Sequence, residues 1–68
     1  SGDRINIIYM SDTHNTLLGL VEAYSSENDK FSDKGNKAAG TRARKALMEI
    51  TKLCKDRRKE IQEAKNSS

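Results

Sequence analysis

The strongest helix-breaking stretch inside this 68-residue chain is Ser32-Asp33-Lys34-Gly35-Asn36. Glycine readily adopts the left-handed conformation that ends many helices, and asparagine caps the unpaired amides at the start of a following helix. With helical patterns on both sides, the stretch predicts a turn over residues 33–36. Because short connections favour antiparallel neighbours, we expect an all-α fold in which the chain forms an antiparallel helical hairpin.

Apolar residues recur at helical spacing before the turn, which predicts a first helix over about residues 13–32. Three residues near its start have side-chain oxygens suited to capping: Ser11, Asp12 and Thr13. Ser25 and Ser26 weaken the middle of this helix and predict an interruption or fraying beyond Tyr24. The apolar stripe consists of Leu17, Leu20, Val21, Tyr24 and Phe31, with Asn28 at the one missing position.

A second helix is predicted after the turn, over about residues 37–65, and at about 1.5 Å per residue it is about 40 Å long. Arg57 interrupts its apolar stripe. This side chain either snorkels to the surface or pairs with an acid of the first helix, and we expect snorkelling. Cys54 lies on the stripe and is expected to be a small core residue. The stripe consists of Ala39, Ala43, Leu47, Ile50, Cys54, Ile61 and Ala64.

The apolar content of the chain limits the core that it can form. Of the residues, 34% are apolar and three are aromatic, so apolar surface covers one face of each helix and encloses no large pocket. A single core in a chain this short supplies only about 3–5 kcal/mol. Since both stripes are expected to face the same side, we predict that two hairpins dimerise into a four-helix bundle or form a higher homo-oligomer.

The sequence before Met10 is polar and then strand-like, and Met10 is suited to be a native start. We therefore interpret residues 1–9 as a leader or an added segment, and residues 10–68 as a single helical-hairpin domain. One cysteine excludes an internal disulfide, and no stretch resembles a signal peptide or a membrane span. A reducing, cytoplasmic location with no membrane partner is expected.

Charge is divided unevenly along the chain, whose net charge is +3. Residues 10–34 hold two lysines and five acids, whereas residues 35–68 hold ten Lys or Arg and four acids, a balance of +6. Summed fields of this kind attract oppositely charged partners. The asymmetry therefore indicates either a polyanionic partner or an acidic face on a neighbouring subunit.

The start of the second helix combines small residues with cations. The stretch is Gly35-Asn36-Lys37-Ala38-Ala39-Gly40-Thr41-Arg42-Ala43-Arg44-Lys45-Ala46. A helix N-terminus presents amides and a positive dipole end to anions, and small residues let a phosphate approach the backbone closely. Arg42, Arg44 and Lys45 would add charge-assisted hydrogen bonds. The alternative is an ordinary solvated helix start.

Cations continue along the second helix. Four lysines share one face at steps of seven, three and four residues, with Arg58 beside them: Lys45, Lys52, Lys55 and Lys59. Contacts from such a face to phosphates do not read sequence, and they weaken with salt. The alternative is a solvated face in which Glu49, Asp56, Glu60 and Glu63 form i,i+4 pairs. The predicted nucleic-acid-binding residues are Lys37, Arg42, Arg44, Lys45, Lys52, Lys55, Arg58 and Lys59.

The stretch over residues 35–45, followed by an apolar-rich helix with scattered lysines, resembles the chlamydial-type linker-histone-like nucleoid protein family. The resemblance covers about residues 14–65. It implies weak, largely sequence-independent binding of DNA by the basic helix of a nucleoid-associated protein, with dimerisation bringing two duplexes together. The acidic first helix departs from the pattern of that family.

Residues 5–15 resemble the first strand and metal loop of calcineurin-like metallophosphoesterases, in which Asp12 and His14 would bind metal. A two-metal site needs several further ligands, yet His14 is the only histidine of the chain. Cys54 has no histidine nearby in sequence to act as its base. We therefore predict no catalytic residue, metal site, cofactor or small-molecule substrate, and expect that the protein is not an enzyme.

The leading hypothesis is a histone-like protein that contacts the DNA phosphate backbone through its basic second helix. The alternative is a helical oligomerisation or protein-interaction module, in which the basic helix meets the acidic first helix of a neighbour. Tyr24 and Phe31 are able to stack on bases, but they share the apolar stripe and are expected to pack instead. The sequence leaves the choice between DNA and RNA open.

Overall fold

A computed structural model of the chain describes residues 12–67, and these residues form two α-helices. The first helix, α1, spans Asp12–Lys34, and the second, α2, spans Lys37–Ser67. The all-α prediction is confirmed for this part of the chain. Each helix extends two residues beyond its predicted C-terminal end, and α1 begins one residue earlier than predicted. The interpreted leader, residues 1–9, and the candidate cap Ser11 lie outside the described residues.

The turn between the helices contains only Gly35 and Asn36 and is shorter than the predicted one. Gly35 has a φ of 65°, and its amide donates to the carbonyl of Phe31 at 3.0 Å. The Asn36 amide donates to the carbonyl of Lys30 at 3.3 Å, and the Asn36 side-chain oxygen accepts from the amide of Ala39 at 3.1 Å. One glycine therefore ends α1, while the next residue caps α2.

Helix α1 is continuous through Ser25 and Ser26, so the predicted interruption beyond Tyr24 is wrong. Serine has only a modest helix propensity, a weak effect that tertiary packing overrides. The two helices contact each other extensively, which supplies that packing. Helical stability in proteins comes mostly from such contacts rather than from propensity.

The helices pack antiparallel along one seam. Thr13, near the start of α1, hydrogen-bonds Glu60 near the end of α2, whereas Glu27 bonds Arg42 close to the turn. The partly or fully buried seam positions of α2 alternate in steps of four and three, the spacing of a coiled coil. They are Ala39, Ala43, Ala46, Ile50, Leu53, Arg57, Glu60 and Ala64. The α1 positions with the same spacing are Thr13, Leu17, Leu20, Tyr24 and Glu27.

The buried hydrophobic core among the described residues consists of alanines alone: Ala39, Ala43, Ala46 and Ala64. The predicted apolar stripes are wrong at five positions whose side chains are exposed: Val21 and Phe31 in α1, and Leu47, Cys54 and Ile61 in α2. Because a two-residue turn holds the helices close together, small side chains fit between them, and the larger neighbours lie to one side of the seam. The seam is consequently shifted by one residue from the predicted stripe along the middle of α2.

Candidate nucleic-acid interface

Seven of the eight predicted binding residues share the side of α2 that faces away from α1. At about 100° per residue, they fall within an arc of about 140° opposite the seam. All seven are exposed. We call this surface the basic face, and it consists of Lys37, Arg44, Lys45, Lys52, Lys55, Arg58 and Lys59.

The cations of the basic face have no carboxylate partner among the described residues. Within residues 12–67, none of the seven forms an ion pair, whereas Lys30, Arg42 and Arg57 do. The alternative of a face neutralised by i,i+4 pairs with acids of α2 is therefore not observed in the described residues. From Lys37 to Lys59 the basic face is about 33 Å long, close to one turn of B-DNA.

Arg42, the eighth predicted residue, lies on the flank of α2 next to α1. Its Nε donates to Oε2 of Glu27 at 2.7 Å, while Lys30 Nζ lies 3.7 Å from Oε1 of the same carboxylate. The hydrogen bond from Arg42 holds the pKa of Glu27 below its usual value, and the positive charges of Arg42 and Lys30 act in the same direction against desolvation. Arg42 thus links the two helices near the turn.

The two borders of the basic face differ chemically. Three exposed acids lie along one border and form what we call the acidic edge: Glu49, Asp56 and Glu63. Along the other border, α2 presents Leu47, Cys54 and Ile61. The seven cations of the basic face therefore lie in a single strip with an acidic side and an apolar side.

The start of α2 does not offer the open glycine surface that the sequence indicated. A Cβ atom added to Gly40 would lie 2.7 Å from Cδ1 and 3.0 Å from Cε1 of Phe31, so the Phe31 ring occupies that side of the helix. The amide of Ala39 is already capped by Asn36. Gly40 consequently serves the packing of the two helices, and the Phe31 ring lies against it while about half of that side chain stays exposed.

Arg57 is 15% exposed at its side chain, so the predicted snorkelling is wrong. Its Nη1 donates to Oε1 of Glu60 at 2.9 Å, and the hydroxyl of Thr13 donates to Oε2 at 2.7 Å. This polar layer was missed because the sequence analysis placed Glu60 on the charged face. The sequence did contain a signal for this polar layer. Steps of four and three residues from Ala39 to Ala64 pass through both Arg57 and Glu60, which places the two side chains in the seam.

Large apolar side chains remain exposed on one side of the hairpin. Phe31 is 49% exposed, Leu47 44%, Val21 46% and Ile61 46%. Tyr24, Phe31 and Leu47 line one groove between the helices. We call this surface the open apolar face, and it consists of Val21, Tyr24, Phe31, Leu47, Cys54 and Ile61.

The described residues of the metallophosphoesterase resemblance, 12–15, lie in a helix rather than a metal loop. Asp12 and His14 are exposed in the first turn of α1, and residues 5–11 lie outside the described range. No group of three or more potential metal ligands occurs within residues 12–67. Cys54 is a free, exposed thiol, which corrects its expected place in the core. Over the same range, neither helix is long and apolar enough to cross a membrane.

Comparison with known protein families places the chain. The chain matches the model of a family described as histone H1-like protein Hc1 over residues 11–67. Neither the curated proteins nor the solved structures contain a match. The matched span includes both helices and the basic face. The chain therefore belongs to the histone H1-like protein Hc1 family of histone-like, DNA-binding nucleoid proteins.

Proposed function

We propose that the basic face of α2 binds the phosphate backbone of DNA without reading its sequence. The observation that carries this proposal is the placement of seven exposed cations on one side of α2, none of which forms an ion pair within residues 12–67. Lysine and arginine on such a surface displace the counterions condensed on DNA, which favours binding to any sequence. Membership of a histone-like family supports the same partner.

Two neutral hydroxyl groups near the basic face bond within α2. The hydroxyl of Thr41 donates to the Lys37 carbonyl at 3.4 Å, and that of Thr51 donates to the Leu47 carbonyl at 3.0 Å. These two protons are therefore not offered to base edges, and the cations of the basic face supply the phosphate contacts that we propose.

The test is fluorescence anisotropy of a random-sequence duplex titrated with the protein at several salt concentrations. If all seven cations neutralise phosphates, log K falls against log salt with a slope of about −6, a loss of about 10³-fold or more between about 50 and 200 mM. The variant Arg44→Ala/Lys45→Ala should reduce the steepness of that slope by about 2. Absence of binding at low salt contradicts the proposal.

Arg42→Ala provides a matched control, because it removes one positive charge two residues from Arg44. Arg42 already bonds Glu27, so we expect its loss to change the salt slope much less than Arg44→Ala does. Equal effects of the two variants would show that net charge, rather than the basic face, determines binding. Titration of a duplex RNA of the same length determines which nucleic acid is preferred.

We also propose that a second copy of the chain covers the open apolar face, forming a four-helix bundle. The exposure of its large apolar side chains favours this assembly, because the described core contains alanines alone. Leu47→Gln and its neighbour Met48→Gln form a matched pair for sedimentation equilibrium. Met48 is 66% exposed but lies on the basic side, so only Leu47→Gln should weaken self-association.

The rival arrangement places the basic face against an acidic surface of a neighbouring chain. Glu22, Asp29 and Asp33 are exposed on the side of α1 opposite the seam and would supply that surface. Charge-steered assembly weakens as salt rises, whereas burial of apolar surface survives. Self-association that persists at about 0.5 M salt and is lost in Leu47→Gln supports the apolar interface; dissociation by salt alone supports the rival.

A further inference from the structure

We infer that the basic face binds a DNA duplex from outside, across its phosphate ridges, and that α2 does not enter the major groove. This inference rests on the proposed binding of DNA by the basic face. It adds a mode of recognition, in which the cations contact phosphates on the surface of the duplex. The affinity then does not depend on which groups fill the major groove.

The first argument comes from the width of the groove. An α-helix with its side chains is about 10–12 Å wide, and the major groove is about 12 Å wide, so an inserted helix has phosphates close to both flanks. With the basic face directed at the bases, the flanks of α2 are its two borders. Insertion would therefore bring both borders against the DNA backbone.

Both borders are unsuited to phosphates. On one flank the acidic edge would place Glu49 and Asp56 beside the phosphates of one strand, and like charges at short distance repel. On the other flank Leu47 and Ile61 belong to the open apolar face: in a single hairpin they would face the phosphates of the opposite strand without offering a hydrogen bond, and in the proposed bundle the second copy would occupy that flank. Insertion thus requires unfavourable contacts on both sides, whereas binding from outside brings only the cationic strip against the duplex.

The second argument comes from the tip of the basic face, which insertion would direct at the bases. Its central positions are occupied by Lys37, Arg44, Met48 and Lys55, whereas the amide of Gln62 donates to the side-chain oxygen of Asn66 at 3.3 Å. Base recognition in the major groove depends on several outward-directed groups that form bidentate hydrogen bonds, and Arg44 is the one guanidinium among these positions. Flexible lysines act instead as point charges, which suits contact with phosphates.

The experiment compares two duplexes of identical sequence, one containing cytosine and one containing glucosylated 5-hydroxymethylcytosine, whose sugars fill the major groove. Anisotropy titrations of the full chain at low salt should give dissociation constants within about threefold of each other. A helix that reads the groove loses contacts worth about 1–3 kcal/mol each, or about 5- to 150-fold in affinity. A C2H2 zinc-finger protein on a site of G·C pairs, where its helices enter the major groove, is the positive control and should lose affinity.

The outcomes separate this inference from the proposed function. Similar affinity for both duplexes, together with weaker binding by Arg44→Ala/Lys45→Ala, supports binding from outside the groove. Binding to the cytosine duplex with a loss of more than about threefold on the glucosylated one overturns this inference and leaves DNA binding intact. Failure to bind the cytosine duplex at all overturns the proposed function instead.

Discussion

Two glycine-to-alanine substitutions test the packing of the hairpin. Gly19 and Gly40 both lie inside helices, where replacing glycine by alanine favours the helix by about 1 kcal/mol. Nothing lies within 4 Å of a Cβ at Gly19, whereas a Cβ at Gly40 would lie 2.7 Å from the Phe31 ring. Gly19→Ala should therefore stabilise the protein, while Gly40→Ala must displace Phe31.

The cost of displacing Phe31 follows from its burial. Its exposed fraction is 49%, so about half of its surface is removed from water. Complete burial of a phenylalanine contributes about 1.5–3 kcal/mol, and loss of half that burial costs about 1 kcal/mol. This cost offsets the propensity gain at Gly40. In thermal unfolding followed by circular dichroism, Gly19→Ala should raise Tm by about 4–8 °C, and Gly40→Ala should give little or no increase.

A double-mutant cycle separates the ring contact from other effects at the same position. In a Phe31→Ala background the ring is absent, so Gly40→Ala should recover the stabilisation of about 1 kcal/mol seen at Gly19. If Gly40→Ala stabilises the otherwise unchanged protein as much as Gly19→Ala does, then Phe31 does not pack on Gly40. That result would refute the close approach of the two helices near the turn.

Three further substitutions or labels test other contacts. Glu60→Ala removes the acceptor of Arg57 and Thr13 and should cost about 1–3 kcal/mol in urea unfolding, whereas an unchanged free energy would contradict the polar layer. Because the pKa of Glu27 is lowered in the folded state, its contribution to stability is complete above its ordinary value of 4.5 and is lost as pH falls below it. Acid titration of Tm should therefore show a smaller fall in Glu27→Gln than in the unchanged protein. Cys54 should react completely with a thiol reagent in dilute native protein, and more slowly at concentrations where the open apolar face is covered.

The helices and their turn were largely predictable because their signals are local. Gly35 and Asn36 have the chemistry that ends one helix and caps the next, and spacing alone identified both helical segments. Most of the basic face was also predictable, since residues separated by three, four or seven positions share one side of any helix. The turn, the two helices and the basic face depend on regular helix geometry and on residues close together in the sequence, so they can be predicted without knowing how the helices pack.

The positions that sequence reasoning missed depend on contacts between the helices. Helix α2 has apolar residues at two adjacent rows, and spacing did not reveal that Ala46 rather than Leu47 faces α1. Arg42 has the same local pattern as Arg44, but only Arg42 lies within reach of Glu27. Glu60 resembles a surface acid until its partner on α1 is known. Such distinctions require the register between the two helices, which no single-helix pattern contains.

The all-alanine core has a consequence for the amount of folded protein in a cell. Alanine contributes little apolar surface, and the larger apolar residues of the seam, Leu17, Leu20, Ile50 and Leu53, are only partly buried, so we expect the isolated hairpin to have a small free energy of unfolding. A ligand that binds only the folded form raises the free energy of unfolding, and the increase grows with the logarithm of the ligand concentration relative to Kd. Under the proposed function, copies in excess of the available DNA lack this stabilisation. They unfold more often than bound copies, and proteases degrade them preferentially. The alanine core would therefore keep the number of folded molecules close to the number that the available DNA can bind.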